Sequence, residues 1–369
     1  MAGCEAGGPE TYEHCLVRLL SSIDRQNEYH VFCLSRAARD SFQAEQENLR
    51  YHVLWPKARW ISIPAALPLL LHKHGVQLYH ATFIPPPISP ADYVFTMHCY
   101  SNFLHPEFYE PKVLWRLNKS ITMGLNKARV VVCVSECVRD LVAHEFKLPS
   151  ERLAVVYNGV GENFHPMPRL QASRIVSERY GLFRPYMLFV GQLKARKNIV
   201  RILEAFHRFR RETHNDLVLV LAGRRSWTCD GIDETIERLH LRDAVVELGH
   251  IGWQDLPALY NAAEMLVFPS LWEGFGIPVI EAIACGTPVI TSNLSALPEV
   301  AGGSALLVDP YSVDDLAGAM QRLVDDSDLR KELRAKGLER ARKFSWKNTA
   351  EQTLAVYGRA GGFTPSAIV

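Results

Sequence analysis

An α/β fold with parallel sheets, arranged in two halves of similar size, is what this sequence predicts. Three observations carry the expectation. Short apolar runs alternate with longer segments of helical period. The runs are continuously apolar, as strands covered on both faces of a parallel sheet are. The series also starts afresh after residues 163–168 (N-F-H-P-M-P), a proline-bearing polar stretch that marks a boundary. Strand, helix, strand repetition is the pattern of parallel α/β architecture.

The elements follow in chain order. An α/β half should open with a strand before its first glycine-rich turn. Here Met1-Ala2-Gly3-Cys4 leads almost at once to Gly7-Gly8-Pro9, with nothing apolar before the turn. The first N-terminal strand is therefore missing from the expected series, either absent or displaced by a misplaced start. Runs at 76–80 (V-Q-L-Y-H), 93–97 (Y-V-F-T-M), 130–134 (V-V-V-C-V) and 152–157 read as buried strands of the first half. Those at 186–190, 217–222, 244–248, 265–268 and 288–291 read as buried strands of the second. Helical patterns cover 137–145, 199–212, 233–240, 256–263 and 314–325, and continue over 328–357; residues 358–369 read as frayed.

Bulk properties narrow the function classes. The chain of 369 residues suggests two domains at about 100–200 residues each. Hydrophobic residues make up 48%, charged residues 22%, and the formal net charge is +1. No global field favours nucleic acid. Eight cysteines include no C-x-x-C pair, and Cys133 and Cys137 have no partner pair at zinc-site spacing. They read as small buried hydrophobes in a reducing cytosol, with no metal site. No signal peptide pattern opens the chain. The most apolar stretch, residues 61–71, holds Pro64 and Pro68 and is too short for a span of about 20 residues. The expectation is a cytoplasmic protein, soluble or peripheral at the inner membrane face.

Three segments carry candidate chemistry. In the first, a strand ends at Phe268 and runs through Pro269-Ser270 to E-G-F-G-I-P-V-I-E, from Glu273 to Glu281. Pro278 suits a first helical position and Gly286 a helix end. The helix start at Phe275, Gly276 and Ile277 would present unpaired N–H groups, which suit a phosphate. By itself the segment also fits a loop–helix junction with surface glutamates. The second segment is V-G-Q-L-K-A-R-K-N, 190–198, a glycine turn with cations that could grip a diphosphate. It also fits a solvated basic helix start. The third is His98, at the carboxyl end of a strand, where open α/β sheets bind ligands. A structural histidine is the plainer reading. Arg224, after the strand ending Ala222-Gly223, is a further diphosphate candidate.

Residues 112–129 form a basic amphipathic stretch, with Lys112, Arg116, Lys119, Lys127 and Arg129 among Trp115, Leu117, Ile121, Met123 and Leu125. It could lie on an anionic membrane or pack on its own sheet. Asp326-Ser327-Asp328 is a D-x-D string, but its turn chemistry makes it a surface turn.

The Glu273-to-Glu281 segment resembles the E-x7-E motif of retaining glycosyltransferases with the GT-B fold, especially family 4. The G-H-I-G-W-Q-D-L-P-A-L-Y run at 249–260, S-N-L-S-A-L-P-E-V at 292–300 and A-L-L-V-D-P at 305–310 are similar to the same family, in register. The resemblance implies two Rossmann-like domains facing across a cleft that holds the donor. Residues 1–165, completed by a helix at about 346–360, would take the acceptor, and residues 169–345 the nucleotide sugar. It implies that Glu281 binds ribose hydroxyls, that Glu273 lies by the transferred sugar, and that the N–H groups of Phe275 to Ile277 meet donor sugar and diphosphate. Arg196 and Lys197 match the family's diphosphate cations, although Gln192 stands where many members have Arg. T-M-H-C resembles the family's T-x-H-D segment, whose histidine lines the sugar site; here Cys99 replaces the aspartate. Gly8 matches the family's donor-phosphate turn.

The implied activity is metal-independent transfer of a hexosyl group with retention, by front-face attack. No cofactor is implied beyond the nucleotide sugar. The R-K-N ending resembles the mannosyltransferase-like branch, which leans toward GDP-mannose. The acceptor would be a glycan or lipid-linked saccharide. The alternative is a sugar-nucleotide-binding relative with impaired catalysis, motivated by the missing strand and Cys99. A glycan phosphorylase is disfavoured, because no Schiff-base lysine segment for a pyridoxal cofactor is found.

Overall fold

The computed structural model describes residues 8–42, 44–226 and 231–361. The chain divides into two compact units: Met1–Gly159 with Trp346–Val369, and Val160–Ser345.

The second unit holds six strands: β7 Tyr186–Val190, β8 Val218–Ala222, β9 Val245–Gly249, β10 Met265–Phe268, β11 Val289–Ser292 and β12 Leu306–Val308. They form one sheet in the order β12-β11-β10-β7-β8-β9, every pairing parallel. The inner strands β7, β8, β10 and β11 are buried at every residue, as their unbroken apolar runs require. The order reverses between β7 and β10. That reversal is the topological switch point, where the loops leaving two neighbouring strands diverge and open a crevice for ligand. The loops in question carry Arg196-Lys197 and Glu273.

The first unit holds β1 Tyr29–Cys33, β2 Leu49–Val53, β3 Leu78–Ala81, β4 Asp92–Met97, β5 Val130–Cys133 and β6 Leu153–Val155. These strands form two separate parallel sheets, β1-β2 and β3-β4-β5-β6. The segment in which the first strand is expected precedes Gly8 and lies outside the described residues. A cavity of about 480 Å3 lies between β1 and β3, lined by Leu16, Leu20, Val31, Leu78 and Tyr357 among others.

Several expectations are corrected. β1, β2 and β12 do not read as buried strands in the sequence, because each is short and only partly buried. β9, expected to be buried, is an edge strand whose Glu247 faces out to pair with Arg225 at the surface. The final helix does not fray at 358. It runs Trp346–Gly361, because Val356 and Ala360 pack on Val94, Val130 and Val132 of the sheet. The same helix packs on Gly8–Ile23 through Trp346, Ala350, Tyr12 and Leu16.

The basic amphipathic stretch forms the helix Pro111–Lys127. Ile121, Gly124 and Leu125 are buried, so its carboxyl half packs inward. Its amino half leaves Val113 and Trp115 exposed, with the Lys119 ammonium 5.1 Å over the Trp115 ring. Asp326 caps the helix Ser327–Ala341 by accepting from the N–H groups of Asp328 and Leu329, so the D-x-D string is a helix cap. Among the described residues no helix is long and apolar enough to cross a membrane. Cys15, Cys33, Cys99, Cys133, Cys137 and Cys285 are free thiols; Cys4 and Cys229 lie outside the described residues.

Candidate functional site

The crevice is built first by backbone. After β7 the chain turns at Gly191, whose N–H donates to the Ala222 carbonyl at 2.9 Å. The Leu193 N–H donates to the Arg224 carbonyl at 2.9 Å, so the loops after β7 and β8 run side by side. This approach needs Gly223: a Cβ there would sit 1.9 Å from the Gly191 carbonyl oxygen. A short turn Ala195–Lys197 follows, then Asn198 in the left-handed region, then the helix Ile199–Thr213. Buried Asn198 donates to the carbonyls of Pro269 (3.2 Å) and Pro310 (2.6 Å), tying this loop to the one after β10.

Three charged side chains meet there. Arg196 donates to the Trp272 carbonyl at 2.6 Å and pairs with Glu273 at 2.9 Å. The Lys197 ammonium donates to the same Glu273 carboxylate oxygen and lies 4.5 Å over the Phe268 ring. Lys197 and Glu273 are both only 7% exposed, so this ion pair is desolvated. Burial would raise the Glu273 acid, but Arg196 and Lys197 outweigh it and hold the carboxyl down at about 2. Burial pushes the Lys197 ammonium down to about 8 against the pull of Glu273. Two cations therefore face the Glu273 carboxylate in a water-poor pocket.

The loop after β10 ends in the helix Ile277–Cys285. Its cap, Gly276, has φ +100°, and a Cβ there would meet Leu297 at 2.6 Å. No side chain caps this helix start, and the Val279 N–H donates to the Gly276 carbonyl at 2.9 Å. Phe275 is buried, edge-on to Phe344 at 5.6 Å, which fixes the turn. Glu281, one turn into the helix, is 5% exposed and accepts a hydrogen bond from the Tyr260 hydroxyl at 2.8 Å. Burial pushes its carboxyl up to about 8, with only that hydroxyl opposing. The two glutamates of one motif thus sit in opposite protonation states at neutral pH.

In the first unit, His98 follows β4. Its Nε2 is buried without a hydrogen-bond partner, while the ring bonds the Thr82 backbone. Tyr12 stands edge-on at 4.7 Å and 81°. Burial lowers the imidazole to about 4, so it is neutral. Beneath it, His80 bridges the Tyr357 hydroxyl (2.7 Å) and the Thr96 hydroxyl (2.6 Å), and the Thr82 hydroxyl donates to Glu13 at 2.6 Å. A buried, unpartnered acceptor or donor costs free energy unless a ligand completes it.

The structure gathers Arg196, Lys197, Glu273 and the Gly276–Ile277 helix start at one switch point, with Glu281 behind them on the same helix. Arg224 is exposed on the neighbouring loop, joined to it by backbone. Gly8 is not in a turn as expected: it begins the helix Gly8–Ile23, and Gly7 lies outside the described residues. Sequence reasoning missed Tyr260, Glu13, Thr82 and His80. Signals existed for two: Tyr260 ends the 249–260 run, and His80 ends an apolar strand.

Comparisons with known proteins identify the family and the fold. The family described as Glycosyl transferases group 1 matches residues 179–340, and Glycosyltransferase Family 4 matches residues 6–163. The chain is 32% identical over 264 residues to O-antigen chain mannosyltransferase B of Escherichia coli, covering 72% of this chain and 69% of that one. It is also 32% identical over 236 residues to the serotype-specific mannosyltransferase WbdA of E. coli, covering 63% of this chain but only 29% of that longer one. Among solved structures, Anabaena HepE in complex with UDP-glucose aligns with a TM-score of 0.77 at 18% identity, covering 97% of each chain.

Proposed function

The chain belongs to glycosyltransferase family 4 and has its GT-B fold, and from that premise we propose that it transfers a mannosyl group from a nucleotide sugar, GDP-mannose, to a saccharide or lipid-linked acceptor with retention of configuration. The observation that carries this reading is the meeting of Arg196, Lys197 and Glu273 with an uncapped helix start at the switch point. A departing nucleoside diphosphate builds negative charge. Two fixed cations and a helix dipole, in a site shielded from water, stabilise that charge without reorganising. The diphosphate takes over the cations that Glu273 holds in its absence. Glu273 then faces the transferred sugar, and Glu281 accepts the ribose hydroxyls. Among the described residues this reading assigns no covalent nucleophile, and the acceptor attacks on the face from which the diphosphate leaves, with Arg196, Lys197 and the helix start in place of a metal. The exposed Trp115 and Val113 beside Lys112, Arg116 and Lys119 support contact with the inner membrane face, where a lipid-linked acceptor would be met.

His98 is neutral and offers Nε2 to a hydroxyl of the donor sugar. His98→Ala is expected to lower kcat about a hundredfold, the usual size of a positioned proton-sharing group, with little change in thermal stability. Initial-rate measurement of mannosyl transfer checks this; an unchanged kcat refutes the role.

A second reading is a relative that binds sugar nucleotide but transfers poorly, and the split first-unit sheet with its apolar cavity favours it. One experiment separates the two. Thermal shift with GDP-mannose, UDP-glucose and UDP-GlcNAc measures binding, and nucleoside diphosphate release in the presence of mannan or a mannosylated lipid measures transfer. A shift with release supports transferase activity. A shift without release supports the impaired relative. No shift with any donor overturns both.

A further inference from the structure

Three histidines converge in the first unit, apart from every residue assigned to transfer. His30 lies on β1, His52 on β2, and His74 caps the carboxyl end of the helix Leu67–Lys73. The parallel register pairs His30 with Arg50 and Phe32 with His52, which puts His30 and His52 on one face of the sheet. His30 Nδ1 and His52 Nε2 are 2.9 Å apart, in rings only 5° from parallel. The His74 ring centre is 4.2 Å from that of His52 and 5.3 Å from that of His30. One nitrogen from each ring falls within 4.8 Å of the other two.

We propose that His30, His52 and His74 bind one zinc-class divalent transition metal ion, and that the ion clips β1, β2 and the Leu67–Lys73 helix together. Three imidazole nitrogens are the donor set that zinc, cobalt, nickel and copper prefer over magnesium or calcium. A tetrahedral ion with bonds of about 2.0–2.1 Å needs nitrogens about 3.3 Å apart. One spacing is 2.9 Å and the others lie within 4.8 Å, so side-chain rotations that bring all three near that value close the site and leave a fourth position for water. A carboxylate also stands behind the first ligand. Glu28 Oε1 lies 3.8 Å from His30 Nε2, the nitrogen opposite the one aimed at His52, and is held by Arg50 at 3.2 Å. Carboxylates in this place commonly orient a metal-bound imidazole.

The fold supplies a reason for such a clip. The β1-β2 pair is separate from the four-stranded sheet, and a two-stranded sheet alone is only marginally stable. An ion that joins three segments stabilises the folded state by its binding free energy. This site does not depend on the transferase reading, since that reading gives none of the three residues a role.

The test uses the full chain, purified without a histidine tag, stripped of metal and titrated with zinc sulfate by calorimetry. One ion per chain and a melting temperature raised by zinc are expected. His52→Asn and His74→Asn should each weaken zinc at least about tenfold, and Glu28→Gln about tenfold. His144→Gln, on the exposed face of another helix, should change nothing. Equal zinc binding in the parent and in the His52 and His74 variants, or no stoichiometric binding, overturns the proposal. Cobalt(II) added to the unaltered chain decides the matter if a variant fails to fold. Intense visible bands of a nitrogen-ligated, four-coordinate ion support the site, and an aquo-ion spectrum overturns it.

Discussion

Lys197→Ala is expected to cut sugar transfer about a hundred- to a thousandfold while the fold survives. The lysine is buried, and its ammonium touches the Glu273 carboxylate. Removing one preorganised charge from such a site costs roughly 3–4 kcal/mol of transition-state stabilisation. The loss falls on kcat, because charge on the leaving diphosphate grows toward the transition state. The folded state is hurt less than breaking a buried pair usually implies, because Arg196 still reaches Glu273 at 2.9 Å. Lys197→Arg should not restore the rate. A planar guanidinium does not fit a site whose lysine is 7% exposed and stacked on Phe268. Initial rates of nucleoside diphosphate release, with far-ultraviolet circular dichroism as the fold control, measure the effect. Near-normal turnover in the alanine variant refutes the assignment.

Glu281→Gln should raise KM for the donor about ten- to a hundredfold and also change how stability depends on pH. The first effect follows from replacing a carboxyl oxygen by an amide NH2, which can only donate; a ribose hydroxyl left without its acceptor in a buried site costs roughly 1–3 kcal/mol. The second follows from the proton. An unfolded chain releases it near the ordinary value of 4.5, whereas the folded protein keeps it to about 8. Between those values the folded state binds more protons than the unfolded state. Stability therefore falls as pH rises through this window, at up to about 1.4 kcal/mol per pH unit. The glutamine variant keeps the Tyr260 hydrogen bond, carries no proton to lose, and should be the more stable protein at about pH 8. Urea melts of both proteins across the window check this. Parallel stability curves would show that Glu281 is ionised throughout.

The inner strands of the two larger sheets were legible because each is an apolar run such as Met-Leu-Val-Phe at β10, and such a run has few other uses. The Gly276–Ile277 helix start was legible for a similar reason: glycine, proline and turn chemistry act between neighbours in the chain. β1, β2 and β12 were not, since a strand at an open edge can carry histidine, arginine or a half-exposed leucine without penalty, and its pattern fades. The family resemblance named Arg196, Lys197, Glu273 and Glu281, but not what they do to one another.

The sequence by itself determined the parallel α/β class, the two-unit division of the chain and the local shape of the donor loops. Those follow from which residues can be buried together and which turns their backbones allow. Tertiary structure alone decided three things. It joined Lys197 to Glu273 across 76 positions. It set two glutamates of one motif to about 2 and about 8, because one is buried against two cations and the other against a single hydroxyl. It brought His30, His52 and His74 from three separate segments to one point. Charge states and ligand sets depend on distances in space and on removal from water, and the spacing of residues along a chain specifies neither.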